Sequence, residues 1–209
     1  MNKKWVITIL IILIVTIGFA SIGLFMSNVE HPKYEVIESQ GNIEIRQYQP
    51  MIIAEIAIED NRKEAIKSGF KILASYIFGN NKSKKNVSMT APVRQQSNEK
   101  ISMTAPVSQQ KVQGAWRISF VMPSQYSIDT IPVPNNEGIS IKKIDSKKYA
   151  VLKFSGMNSD KNINFHEIKL KKYLSENKIQ AISSSIYAFY NPPWTLPFLR
   201  RNEIMIEVN

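Results

Sequence analysis

The chain has 209 residues, no cysteine, two histidines and a formal charge of +10. The absence of cysteine excludes disulfides, thiolate metal sites and lipoprotein attachment. The length allows one domain with a sizeable core beside a short terminal segment.

That segment comes first. From Trp5 to Met26 there is no charged residue, and Ile, Leu, Val and Phe dominate. Such a run, wound as a helix, spans roughly 33 Å, enough for a hydrocarbon core of about 30 Å. Residues 1–27 therefore read as a transmembrane anchor that meets lipid through residues 5–26, with residues 28–33 as a tether and 34–209 as the domain. Lys3 and Lys4 precede the run, whereas Glu30 and Lys33 roughly cancel after it. The positive-inside rule then leaves the N-terminus cytoplasmic and the domain outside. The competing reading is an exported chain cleaved near Gly18-Phe19-Ala20, although the run is longer than a usual signal-peptide core.

Tyr34 to Glu38 predicts a strand, and Gln40-Gly41-Asn42 a turn. Ile43, Ile45 and the stretch to Tyr48 predict a second strand, and Ile52, Ala54, Ile56 and Ile58 a third. Asp60 or Asn61 caps a helix that runs to about Phe78 and stops at Gly79, and the acidic pair Glu59-Asp60 suits its N-terminus. The expected apolar stripe is Ile66, Phe70, Leu73, Ala74 and Ile77. A polar loop leads to Val87-Ser-Met-Thr-Ala-Pro-Val93, which recurs as Ile101-Ser-Met-Thr-Ala-Pro-Val107. Each phrase is extended up to its proline and suits an edge or a strand end. Trp116 to Met122 predicts another strand, followed by a loop with Pro132 and Pro134.

The second half echoes the first. Ile139, Ile141, Ala150, Leu152 and Phe154 repeat the pattern of Ile43, Ile45, Ala54, Ile56 and Ile58, and a helix follows over about 162–177. There Leu170, Tyr173 and Leu174 answer Phe70, Leu73 and Ala74. Two copies of a strand–strand–helix–strand unit, over about 34–122 and 139–208, give an α+β fold in which an antiparallel sheet or open barrel carries two helices. Ser185–Tyr190 and Glu203–Val208 are the last expected strands.

The reactive inventory is thin. No Ser/His/Asp set, Gly-rich phosphate loop or metal-type spacing is present, so the residues argue for no enzyme. The lysines fall in small groups, such as Lys142 with Lys143 and Lys169 with Lys171 and Lys172. These read as solvated faces, or as attraction to anionic lipid or to a carboxylate-bearing ligand. No nucleic-acid motif accompanies the charge. His166 lies on or beside the second helix's inward stripe, either as an edge histidine or as an imidazole ligand to iron. The phrase from Tyr187 to Glu203 packs prolines and aromatics into a stiff loop with Arg200 and Arg201 at its exit. It reads either as a cap on the core or as one wall of an apolar pocket with a guanidinium for a carboxylate.

The sequence resembles the SOUL haem-binding protein family, in its bacterial branch. The resemblance rests on Tyr34-Glu35-Val36, Ile43-Glu-Ile-Arg-Gln-Tyr48, Ile77-Phe-Gly79, both Met-Thr-Ala-Pro-Val phrases, Phe120-Val-Met-Pro123, Phe154-Ser-Gly156 and Asn191-Pro-Pro-Trp-Thr-Leu-Pro-Phe-Leu-Arg-Arg-Asn-Glu203. It implies a distorted antiparallel β-barrel flanked by two helices, and non-covalent binding of haem or another tetrapyrrole in an apolar cleft with few or no axial ligands. Some relatives carry a histidine in the phrase that reads Arg46-Gln47-Tyr48 here, and Gln47 is a poor iron ligand. The residues expected to meet the ligand are Ile66, Phe70, Leu73, His166, Tyr187, Tyr190, Trp194, Arg200 and Arg201. No metal site is expected from the residues themselves, and His166 is the weak candidate for iron. The alternatives are a module for another amphipathic small molecule and a hydrolase on the same fold.

Overall fold

The computed structural model describes Trp5 and residues 29–84 and 98–209. The chain divides into two compact units, residues 1–30 and 31–209, and nearly all described residues belong to the second. Apart from Trp5, the expected anchor lies outside the described residues, as does the first Met-Thr-Ala-Pro phrase. Among the described residues, no helix is long and apolar enough to cross a membrane.

The second unit opens with strands β1 (Tyr34–Gln40), β2 (Ile43–Tyr48) and β3 (Met51–Ile58), then helix α1 (Arg62–Ile77). Next come β4 (Asn81–Lys82), β5 (Val107–Val112), β6 (Ala115–Val121) and β7 (Val133–Pro134). The chain continues through β8 (Ser140–Ile144), β9 (Lys147–Phe154), α2 (Asp160–Glu176), β10 (Ile186–Phe189), a 3₁₀ turn (Pro197–Leu199) and β11 (Asn202–Glu207).

Both helices start where their caps dictate. The Asn61 side chain accepts a hydrogen bond from the Glu64 N–H, and Ser159 does the same for Asn162. Each supplies an acceptor for an amide that the first helical turn leaves without an intrahelical partner. Gly79 follows α1 with φ +114°, which a side chain would strain. The second helix begins two residues earlier than the expected 162, because Ser159 is the cap.

The buried residues of α1 are Ala65, Gly69, Leu73, Tyr76 and Ile77, a stripe rotated from the expected Ile66, Phe70, Leu73, Ala74 and Ile77. Close approach to β6 is the reason. A Cβ at Gly69 would sit 2.8 Å from the Ile118 side chain, so the helix docks on its smallest residue. Phe70 is thereby left at the rim, edge-on to Phe120 at 5.5 Å. On α2 the buried residues are Ile163, Leu170, Tyr173 and Leu174.

Nine strands form one antiparallel sheet in the order β1-β2-β9-β11-β10-β5-β6-β3-β8, while β4 and β7 pair separately. The sheet curls without closing into the expected barrel, because β1 and β8 remain its two edges. The strand that opens each half is exchanged: β2 pairs with β9, and β8 pairs with β3. Strand β5 lies inside the sheet, between β10 and β6, where only an edge or a strand end was expected. Its Ser108-Gln-Gln-Lys111 core has no apolar alternation, and both its neighbours, β6 and β10, are needed to hold it.

Side chains alternate across this sheet. One face carries Ile43, Ile45, Ala150, Leu152, Ile204 and Ile206 under α2. The same face carries Ala54, Ile56, Ile118 and Phe120 under α1. Each fully buried Ile or Leu there contributes about 1.5–3 kcal/mol. The opposite face bears Tyr48, Tyr149, Val151, Ala188 and Met205, and among the described residues no helix covers it.

Candidate ligand cleft

The helix-free face encloses a cleft of about 360 Å³, within the roughly 300–1,000 Å³ range of small-molecule sites. Its apolar lining comes from alternate positions of six strands: Met51 and Ile53 of β3, Val121 of β6, Ile144 of β8, Tyr149 of β9, Ile186 of β10 and Met205 of β11. The alternation that sends Ala54 and Ile56 to the helices sends their neighbours Ile53 and Glu55 into the cleft.

Charge enters this surface in pairs. Glu55, nearly buried, is held by Lys142 Nζ at 2.6 Å and by Arg117 Nε at 3.6 Å. Lys147 meets Glu207 at 2.8 Å. The three cations are more exposed than their acids, so they present positive charge to anything entering. The Tyr149 hydroxyl has no hydrogen-bond partner among the described residues. Burial, assisted by Glu207, pushes its pKa up to about 12, so the phenol is neutral and available as a donor.

Tyr48 and Tyr190 line the cleft and lead into a buried ionic cluster. Arg46 is fully enclosed, and both its terminal nitrogens contact the Glu203 carboxylate at 3.1 Å. Its Nε donates to Glu44 at 2.7 Å, and Tyr34 covers the guanidinium at 4.2 Å. Glu203 also accepts from the Tyr190 hydroxyl at 2.6 Å and from Arg201 at 2.8 Å. Burial alone would raise the Glu203 carboxyl. The Arg46 and Arg201 guanidiniums and the Tyr190 hydroxyl more than reverse this and hold it below 4.5. Burial and the charge of Glu203 push the phenols of Tyr48 and Tyr190 well above their ordinary value.

The residues expected to meet a ligand divide between the two faces. Tyr190 faces the cleft, with Arg201 stacked on its ring at 3.9 Å. Leu73 is enclosed in the core beneath α1, and Ile66 and Phe70 flank it. Tyr187 lies on the helix side, where its hydroxyl donates to Glu167 at 2.8 Å. His166 stacks on Phe154 at 4.2 Å, and its Nδ1 lies 2.8 Å from the Asn162 carbonyl. That carbonyl can only accept, so Nδ1 is the donor in this contact. Trp194 and Arg200 belong to the C-terminal loop. Gln47 bonds Ser146 at 2.8 Å and is not at the cleft. No cluster of His, Asp and Glu suited to a metal occurs among the described residues.

Sequence reasoning missed Glu55, Arg117 and Tyr149, and read Lys142 only as one of a lysine group that suits a solvated face, anionic lipid or a carboxylate-bearing ligand. Each sits among apolar strand residues at the opposite parity, and that alternation was the available signal. It also missed Arg62, the first residue of α1. Arg62 reaches Asp160 at 2.8 Å and Gln109 at 3.0 Å, beneath Trp116, Tyr187 and Phe189, each about 6 Å from the guanidinium carbon. Its buried Nε has no partner among the described residues.

The fold is similar to that of the EcmrR C-terminal domain, at 11% identity over 84% of this chain and 98% of that one, with a TM-score of 0.58. It is also similar to a hydrolase from Listeria innocua, at 9% identity over 83% of this chain and 94% of that one, with a TM-score of 0.51. Identities this low speak for the shared fold alone. No curated protein matches the sequence. The sequence does match the SOUL heme-binding protein family over residues 29–207, which is nearly the whole of the folded unit. The chain belongs to the SOUL heme-binding protein family.

Proposed function

We propose that this chain binds haem or a related tetrapyrrole non-covalently in the cleft on the helix-free face, and that residues 5–26 tether it to a membrane. The observation that carries the reading is the cleft itself, with its apolar lining and its exposed lysines and arginine. Those residues fit the group. Met51, Ile53, Val121, Ile186 and Met205 suit an apolar ring, and Lys142, Arg117 and Lys147 suit its carboxylates. Tyr149, kept protonated by burial, would offer a bound ligand a hydrogen-bond donor.

Haemin titration of the fragment from Asn28 onward tests the reading. A saturable one-to-one change in the Soret band below about 1 μM, equivalent to roughly 8 kcal/mol, is expected. Weak, non-saturating binding moves the reading to another amphipathic small molecule in the same cleft.

A second location is favoured by Arg62. Its Nε, without a partner among the described residues, lies among aromatics that include the expected contact Tyr187, where Arg62 at the start of α1 meets Asp160 at the start of α2. Loss of haemin affinity on Arg62→Ala, with none on Lys142→Ala, assigns the ligand to that groove.

The uncharged run from Trp5 to Met26 supports the tether, and Lys3 and Lys4 support a cytoplasmic N-terminus with the folded unit outside. External protease acting on intact cells then degrades residues 31–209. Protection of that unit places it inside.

A further inference from the structure

The loop between β10 and β11 carries four large apolar side chains that are more than half exposed. Phe198 is 70% exposed, Trp194 67%, Leu199 63% and Leu196 51%. Four large apolar side chains within six residues form a patch of the kind that marks an interaction site. Met157, also exposed, adjoins it, because the Gly156 N–H donates to the Pro197 carbonyl at 2.9 Å.

The backbone of this loop is tied up from within. The Arg200 guanidinium donates to the carbonyls of Thr195 and Pro193. The Thr195 N–H donates to Pro192, Leu199 to Leu196 and Arg200 to Pro197. At the base, Asn191 Oδ1 accepts the Arg201 N–H at 2.6 Å, and the Tyr190 N–H donates to the Arg201 carbonyl at 3.2 Å. These internal bonds, with three prolines that have no N–H to satisfy, reduce the number of backbone groups that would lose water at an apolar boundary. The aromatic and leucine side chains are left to face outward.

The place where the chain enters the unit says what covers this patch. The His31 ring lies 5.5 Å from the Tyr190 ring, at the root of the loop. Four residues, 27–30, separate His31 from Met26, the end of the uncharged run. Even fully extended, those links reach no more than about 18 Å. A bilayer that holds residues 5–26 is thereby kept close to the loop's base, and Trp194 and Phe198 are residue types suited to the headgroup boundary.

We propose that Trp194, Leu196, Phe198 and Leu199 form a second membrane contact, dipping into the lipid interface beside the tether. This rests on the proposed anchoring of residues 5–26. Arg200, buttressing the loop at its exit, lies at headgroup level, where anionic phosphates complement it.

The chain has no cysteine, so one introduced thiol can be labelled alone. The full chain is reconstituted in phosphatidylcholine–phosphatidylglycerol vesicles carrying either Phe198→Cys or Trp5→Cys, each labelled with a polarity-sensitive dye. Both sites are solvent-exposed in the described structure, so neither substitution disturbs the core. The label at 198 is expected to shift its emission to the blue. A nitroxide near the lipid headgroup should quench it more than one at the acyl-chain end. Quenching at 5 but not at 198 overturns the loop contact and leaves the anchor standing. Quenching at 198 alone supports the loop and removes the anchor reading, and quenching at neither site removes both. A dye at 198 that responds to haemin but not to lipid makes the loop a wall of a ligand site and overturns the proposal.

Discussion

Arg46 on β2 and Glu203 on β11 meet in a two-pronged ion pair, with both side chains sealed from solvent and a third strand, β9, lying between theirs. Glu44, Tyr48, Tyr190 and Arg201 complete the hydrogen bonding that two buried charges demand. The cluster welds an edge of the helix-free face beside the cleft.

Removing one member leaves the other as an uncompensated charge. Arg46→Ala is expected to destabilise the folded unit by about 3–5 kcal/mol. The double variant Arg46→Met, Glu203→Leu should recover much of that loss, because apolar replacement of both partners is often close to neutral. Urea unfolding of the two variants checks this. Equal losses in both would show that the pair itself, and not the orphaned charge, sets the cost.

The same cluster shapes the response to pH. The carboxyls of Glu203, Glu44 and Glu167 are all held below 4.5 by their partners, against the opposing effect of burial. A depressed folded-state pKa gives stability that is complete above the unfolded value and lost as pH falls through the folded one. The melting temperature should therefore hold from neutral pH to about 4.5 and drop below it. Tyr48 and Tyr190 act in the opposite sense: their raised pKa values give stability that is complete below 10 and lost as pH climbs further. A thermal melt at each pH reads both limbs, and a stability flat down to pH 2 contradicts the acid limb.

Packing at Gly69 gives a third test. Alanine favours a helix interior by about 1 kcal/mol over glycine. Here the new Cβ would fall 2.8–2.9 Å from two atoms of the buried Ile118 side chain. Overpacking of that kind costs about 1–3 kcal/mol, so Gly69→Ala should be neutral to destabilising despite its propensity. Adding Ile118→Val should restore part of the loss. Chemical denaturation decides it, and a stabilised single variant would refute the close docking of α1.

A fourth expectation concerns the bound spectrum. Tyr149→Phe and His166→Ala should both leave the ferric haem Soret position unchanged, because the first is a neutral donor and the second lies on the other face of the sheet. Tyr149→Phe alone should weaken haemin binding by about tenfold, the loss of roughly one hydrogen bond. A Soret shift with either variant would identify an axial ligand.

Much of this architecture was legible before the fold was seen, and the limits were physical. Strands β2, β3 and β9 declare themselves by alternation, because one of their faces must be buried against a helix. Asn61 and Gly79 bracket α1 by their own backbone chemistry. Strand β5 was silent, since its serine and glutamines serve a polar lining on one side and Arg62 on the other. The α1 stripe was displaced by about one residue because a glycine looks like a gap in a pattern, whereas here it is the point of closest contact. Glu55 and Tyr149 were illegible as site residues, and Lys142 as more than one of a basic group, because only the curl of the sheet brings β3, β8 and β9 around one space.

Placement of the ligand on the helix-free face is decided by haemin titration of Ser119→Trp, which puts a large side chain in the cleft from β6, beside Arg62→Ala on the opposite face. Ser119→Trp should abolish saturable binding while Arg62→Ala retains wild-type affinity. Full affinity in a folded Ser119→Trp, with binding lost in Arg62→Ala, would contradict it and move the site to the groove between the helices.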